Sequence, residues 1–219
     1  MDPRCVKCGR GIEKLYIQYS PGNIRLLKCG NCKSVADEYI ECELLILIID
    51  LILHKPQAYR HLLFNVLRCK LLDFDTLLFK SSFFFFLLDA YKLWILNGTS
   101  EELSVLSLGW KTLGCSLLEN LAFFCVHAVF SRRYLTFVEG FSGYKDVLLT
   151  MVVSSYLKIY MLSMLVWEFP ASVVYIVDLF VMSSNLVALR VISKSSFTRC
   201  VVLCLSAHAL KFFVHWMLK

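Results

Sequence analysis

From position 75 to the carboxyl terminus, apolar residues run in five long blocks, approximately 75–96, 111–130, 147–167, 171–190 and 199–218. The first 35 positions are instead polar and punctuated by cysteine and glycine. A bilayer core of about 30 Å takes about twenty apolar residues to cross as a helix, so the blocks predict four to five membrane spans. The first block is the weakest, because Lys80 and Asp89 fall inside it. Lys80 can snorkel to head groups, but Asp89 needs a partner.

Between the two regions, the apolar run Leu44–Leu53 is too short to span and contains Asp50. Residues 36–54 and 57–70 are predicted as two amphipathic helices lying on the amino-terminal domain or on the membrane surface. Their acidic start and basic end suit a helix dipole, and Pro56 ends the first or begins the second. Lys55, Arg60, Arg68 and Lys70 would then face anionic head groups, each worth about 1 kcal/mol near such a surface. The competing reading is a solvated face with no lipid preference. Glu38, Glu41 and Glu43 read as a solvated acidic turn.

Composition agrees with the pattern. Of 219 residues 58% are hydrophobic and only 18% charged, and the mean hydropathy is +0.64. A soluble domain carries about 25% charged residues. The net charge of +6 is dispersed between apolar runs, which marks membrane-flanking charge and gives no nucleic-acid-binding stripe. Basic residues also alternate along the loops. The amino-terminal segment, 131–146 and 190–199 are basic, whereas 97–110 and the turn around Phe169-Pro170 are bare. That alternation predicts a cytosolic amino terminus and a luminal carboxyl terminus, with Lys219 a mild exception. If the first block only dips into the bilayer, the later spans invert. The sequon Asn97-Gly98-Thr99 falls in a predicted luminal loop, close to the membrane edge.

Ten cysteines are present, and four of them form a C-x2-C, x20, C-x2-C pattern at Cys5, Cys8, Cys29 and Cys32. This spacing reads as a four-thiolate zinc site, in which two tight turns each present two sulfurs to one tetrahedron. Gly9 and Gly30 sit where such turns need freedom, and Leu15–Tyr19, Ser20-Pro21-Gly22-Asn23 and Ile24–Leu27 read as strand, turn, strand. A redox dithiol would want a thioredoxin-like setting, which the segment lacks. Four ligands leave no open position, so the zinc is structural. The first ten residues are unlike a secretory signal, and the thiols are expected in a reducing compartment. The fold class that follows is mainly α: a polytopic helical membrane protein carrying a small amino-terminal zinc-ribbon (β) domain. Its divisions are a ribbon at 1–35, surface helices at 36–70 and a membrane domain at 75–218.

Inside the membrane domain, Glu119, Lys158 and Asp178 form a candidate polar pathway or head-group pocket, with either acid pairing Lys158. Structural pairing and snorkelling is the rival explanation, and it accounts readily for Lys211. His127, His208 and His215 read as hydrogen-bonded core residues. No Ser-His-Asp or His-x-x-x-Asp arrangement emerges, so no enzyme is expected. Val153–Lys158 matches a proposed cholesterol-contact pattern, but Leu15…Tyr19…Arg25 inside the ribbon matches it too, so the pattern decides nothing.

The words "LYIQYSPGNIRLLKCGNCKSVADEYIECE" and "DLILHKPQAYRHLLFN" closely resemble the homology domain of the Arv family over roughly residues 4–66. These are endoplasmic-reticulum membrane proteins of sterol homeostasis. The resemblance implies a protein of that membrane, with the Golgi as a second site, that affects sterol trafficking and sphingolipid metabolism. It maps the family's zinc-type cysteines onto Cys5, Cys8, Cys29 and Cys32. It implies membrane lipids as partners (sterol, sphingolipid or glycosylphosphatidylinositol precursor), with membrane-protein partners at the cytosolic head. Two other classes stay open: a flippase or scaffold for glycosylphosphatidylinositol-anchor precursors, and a membrane-bound lipid-modifying enzyme.

Overall fold

The computed structural model describes residues 3–68, 74–97, 105–137, 143–167 and 169–218. The chain divides into two units, Met1–Phe74 and Asp75–Lys219.

In the first unit, strands β1 (Tyr16–Ser20) and β2 (Asn23–Leu26) form an antiparallel hairpin. Ser20 pairs with Asn23 across Pro21 and Gly22, and Gly22 has φ +82°. Proline presets the first central position and glycine supplies the positive φ of the second, which is the chemistry of a type II turn. The helix predicted over 36–54 is in fact two pieces. Asp37 caps the Tyr39 N–H and starts a three-residue 3-10 turn, Glu38–Ile40. The backbone then extends at Glu43 before α1 (Leu44–Ile52) begins. Pro56 opens α2 (Pro56–Arg60), at a position where its missing N–H breaks no helical bond. The same helix widens into π-helical turns over His61–Arg68. Its inner face supplies most of a small core, with Ala58, Tyr59, Leu63 and Phe64 buried beside Val6, Leu15 and Ala36.

The second unit is helical: α3 (Phe74–Asn97), α4 (Val105–Tyr134), α5 (Tyr144–Ser154), α6 (Val173–Ile192) and α7 (Phe197–Leu218). After Ser155 the line of α5 continues as a ten-residue 3-10 segment, Tyr156–Leu165. Helix α4 packs against α5 and α7, and α6 against α5 and α7. Four stretches among the described residues are long and apolar enough to cross a membrane: Gly109–Tyr134, Tyr144–Leu165, Val173–Ile192 and Phe197–Leu218. Helix α3 has the length but carries Asp75, Lys80, Asp89 and Lys92.

The burial pattern is that of a membrane protein. Asp89, Glu119, Lys158 and Lys211 are buried, while Trp110, Leu117, Ile176, Val202, Phe212 and Trp216 are exposed. A water-soluble bundle would place these residues the other way round.

Candidate functional site

The two cysteine knuckles are built alike. In each, the N–H of the first cysteine is bonded to the carbonyl five residues on, Cys5 to Arg10 and Cys29 to Ser34. In each, the carbonyl of that cysteine accepts from the residue four on, Gly9 or Lys33. That fourth residue has positive φ in both cases, +76° at Gly9 and +62° at Lys33. The sequence reading gave the special position of the second knuckle to Gly30. The structure gives it to Lys33, the true counterpart of Gly9.

The knuckles bring Cys5 Sγ to 3.7 Å from Cys32 Sγ, and Cys8 Sγ to 3.6 Å from Cys29 Sγ. All four sulfurs lie within 4.8 Å of one another. A tetrahedron with metal–sulfur bonds of about 2.3 Å has edges of about 3.8 Å, so the cage fits a four-coordinate metal ion. It does not fit disulfides, whose sulfurs stand about 2.05 Å apart. The backbone N–H groups of Cys32 and Asn31 point at the Cys29 sulfur and hold its pKa down at about 6. Burial pushes the Cys5 thiol up to about 12, so a bound cation must drive that proton off.

Four thiolates around a divalent ion leave two negative charges, and two arginines bond the backbone of the first knuckle. Arg60 donates to the carbonyls of Val6 (2.8 Å) and Lys7 (2.9 Å), and Arg4 donates to the carbonyl of Gly9 (3.1 Å). Arg60 thus braces the first knuckle instead of reaching for head groups, as its position in the sequence suggested. Lys55 is engaged by Asp50 at 2.7 Å while staying half exposed. The side chain of Arg68 and all of Lys70 lie outside the described residues.

A buried network ties the helix to the cage. Asp37, fully buried, accepts from His61 Nδ1 and from Asn65 Nδ2, each at 2.7 Å. Asn65 also exchanges two bonds with the backbone of Arg4, next to Cys5. Satisfied on every side, this network fixes the helix on the ribbon. The four residues that make it were not singled out in the sequence, because their separations of 24 to 61 positions carry no local signal.

In the helical unit the intramembrane charges do meet, but the pairing expected from the sequence is wrong. Lys158 Nζ binds Asp89 (2.6 Å), not Glu119 or Asp178. Lys211 binds the other oxygen of Asp89 (2.5 Å) and the Asn120 side chain. Lys211 is therefore buried and paired, and does not snorkel. Asp178 takes Lys92 (2.6 Å), and Glu119 takes His215 (2.8 Å). The reason is register: Asp89 sits on the buried face of α3, within reach of both α7 and the 3-10 segment after α5. These groups gather around a cavity of about 260 Å³, lined among others by Lys92, Glu119, Lys158, Asp178, Lys211 and His215. The sequon at Asn97 and the acidic pair Glu101 and Glu102 lie outside the described side chains.

The cage and the helical unit as far as α6 fall within one match to known proteins. Residues 4–189 match the Arv1-like family. The chain belongs to that family. Among Arv1-like relatives it is 46% identical to Protein ARV 1 of Arabidopsis thaliana over 215 residues, covering 96% of this chain and 86% of the relative. It is also 46% identical to Protein ARV 2 of the same plant, covering 96% and 92%. Protein ARV1 of Homo sapiens is 28% identical over 201 residues, covering 86% and 71%. No solved structure matches the chain.

Proposed function

We propose that this protein is a non-catalytic mediator of sterol homeostasis in the endoplasmic-reticulum membrane, with the Golgi as a second site. It supports intracellular sterol transport and distribution and regulates sphingolipid metabolism. Family membership carries this reading, since the match runs from the cysteine head into α6. The metal in the head is zinc, held structurally, because a closed set of four thiolates suits that ion.

The head is cytosolic and works at the lipid surface. Leu44, Leu45, Ile48, Ile49 and Leu53 are exposed on and just beyond α1, while the carboxylate of Asp50 turns inward to Tyr39 (2.8 Å). A nine-residue apolar helix with its one charge tucked away is too short to span, and it suits the head-group boundary of a bilayer.

The test is replacement. In yeast cells lacking their own family member, this chain should restore sterol to the plasma-membrane fraction, and the Cys29→Ser variant should not. Sterol distribution left unchanged by a chain that is abundant in the endoplasmic reticulum would overturn the proposal.

A further inference from the structure

Sterol handling does not explain the cavity of the helical unit. A sterol offers one hydroxyl, whereas five charged side chains line this space. Pairing accounts for each of these charges but not for the open space that they surround. The wall presents three ammonium groups, Lys92, Lys158 and Lys211, against the carboxylates of Glu119 and Asp178. The third acid, Asp89, lies behind Lys158 and Lys211 and is shared by both. Lys92 is balanced by Asp178 at the more open end, and Glu119 is engaged by His215. At the inner end two ammonium groups share one carboxylate, in surroundings where exposure falls to 3% for Lys158 and 8% for Lys211.

Donor capacity says the same. Each ammonium has three N–H bonds. Lys158 gives one to Asp89 and lies over the face of Phe85 at 3.5 Å; Lys211 gives to Asp89 and to Asn120. Each keeps a donor for a guest. Two ammonium groups on one carboxylate, each with a free donor and away from water, select an anion with several acceptor oxygens.

Two further features mark a built site. Helix α5 breaks beside the cavity: Ser154 and Ser155 both bond the Asn185 side chain, and the backbone continues as a 3-10 segment with Lys158 on its first turn. Runs of 3-10 helix beyond three or four residues are uncommon and often mark a hinge, and broken helices within a membrane commonly line binding sites. The cavity also opens sideways. Tyr175 and Leu179 of α6 and Phe212 of α7 line it and are themselves 58%, 62% and 66% exposed on the outside of the bundle. A space of this size is smaller than the roughly 300–1,000 Å³ that encloses a whole small molecule. It suits a head group whose chains remain outside.

The geometry points to a binding site for the phosphate of a lipid head group, held between Lys158 and Lys211 and entered laterally between α6 and α7. Lys92 and Asp178 stand at its mouth. The inference concerns binding and is independent of the sterol reading, which the cell-based replacement tests separately.

The full chain, purified in detergent, is offered dioleoyl phosphatidic acid, the matching diacylglycerol, or inorganic phosphate, and retention is read by native mass spectrometry. Phosphatidic acid should be retained, diacylglycerol should not, and inorganic phosphate at equal concentration should fail to displace the lipid. Lys158→Met leaves Asp89 paired with Lys211 and should weaken retention by about tenfold or more. Lys194→Met, on the exposed turn between α6 and α7, should change nothing. In the unaltered chain, a phosphatidic acid carrying a photoreactive group beside the phosphate should label Tyr156–Leu165 or the residues around Lys211. Equal retention of diacylglycerol, full displacement by inorganic phosphate, undiminished binding to Lys158→Met, or labelling confined to sequences outside the cavity would each overturn the proposal.

Discussion

In the amino-terminal unit, four sulfurs within 4.8 Å of one another face a single point, with room for one ion and nothing more. In the helical unit, five charged side chains face a space of about 260 Å³. Both arrangements answer a shortage. A head of this size has too little apolar core to hold itself together, and a bundle in lipid gains no hydrophobic drive between its helices. The head uses a closed cage, whose chemistry is used up in holding the fold. The bundle uses ion pairs that hold the helices and still leave donors over. A closed centre is structural, and an open one with spare donors is available to a ligand.

The largest break to this contrast is Cys29→Ser. A structural zinc contributes about 10–16 kcal/mol to small metal domains, far more than the buried side chains around Val6 and Tyr59 can replace. The variant should lose its metal and expose residues 1–68 to protease, while the helical unit stays inserted and folded. Metal content by mass spectrometry together with limited proteolysis checks this. A variant that keeps one metal per chain and an intact head would mean that the cage is not what holds it.

Next in size comes a pair of substitutions within the bundle. Asp89→Asn strands two buried ammonium groups, and breaking such a buried pair costs about 3–5 kcal/mol. Asp178→Asn releases Lys92 at the mouth, where Asp178 is 30% exposed, and should cost about 1 kcal/mol or less. Denaturant unfolding of the full chain in detergent reads both. Equal losses would mean that the cavity has no inner and outer end, and the idea of a deep charged site would go with it.

The sequence carried much of this, for physical reasons that can be traced. The cage was legible because ligand spacing is local, with two residues inside each knuckle and a hairpin between them. The hairpin was legible because Pro21-Gly22 allows few turns. The four apolar helices followed from the length and apolarity of their blocks. What the sequence withheld was partner choice. On α7, His208, Lys211 and His215 recur at steps of three and four, and on α4 so do Thr112, Ser116 and Glu119. These polar stripes on apolar helices announce an inward face. They do not say which carboxylate meets which lysine, because that depends on the rotation and depth of each helix. The break in α5 was also hidden, since Val153–Lys158 reads as continuous helix until Asn185 is seen capturing its serines. In the head, the widened turn at His61–Arg68 and the Asp37 network have no signature in any single window.

The finest test of the contrast uses one ion pair of the same chemistry placed outside the membrane. Lys55 meets Asp50 at 2.7 Å, nearly the separation of Lys158 and Asp89, but Lys55 is 49% exposed. The hydrogen bond from Lys55, helped by that from the Tyr39 hydroxyl, holds the Asp50 carboxyl below the usual carboxylate range, while partial burial opposes it. Its pKa in the folded state therefore lies below the unfolded value of about 3.9. The stabilisation is complete above the unfolded value and disappears as pH falls through the folded one. With one partner half in water, it should amount to less than about 1 kcal/mol. Hydrogen exchange of the α1 amides in the full chain, compared between wild type and Asp50→Asn, should show a small protection difference that vanishes between about pH 5 and 2. Metal content is followed in parallel and only pH values at which both chains keep their ion are compared, because losing the ion would unfold α1 in both. A difference that persists below that range would assign the effect to the Tyr39 hydrogen bond rather than to charge. A difference as large as that of Asp89→Asn would show that burial is not what separates the two pairs.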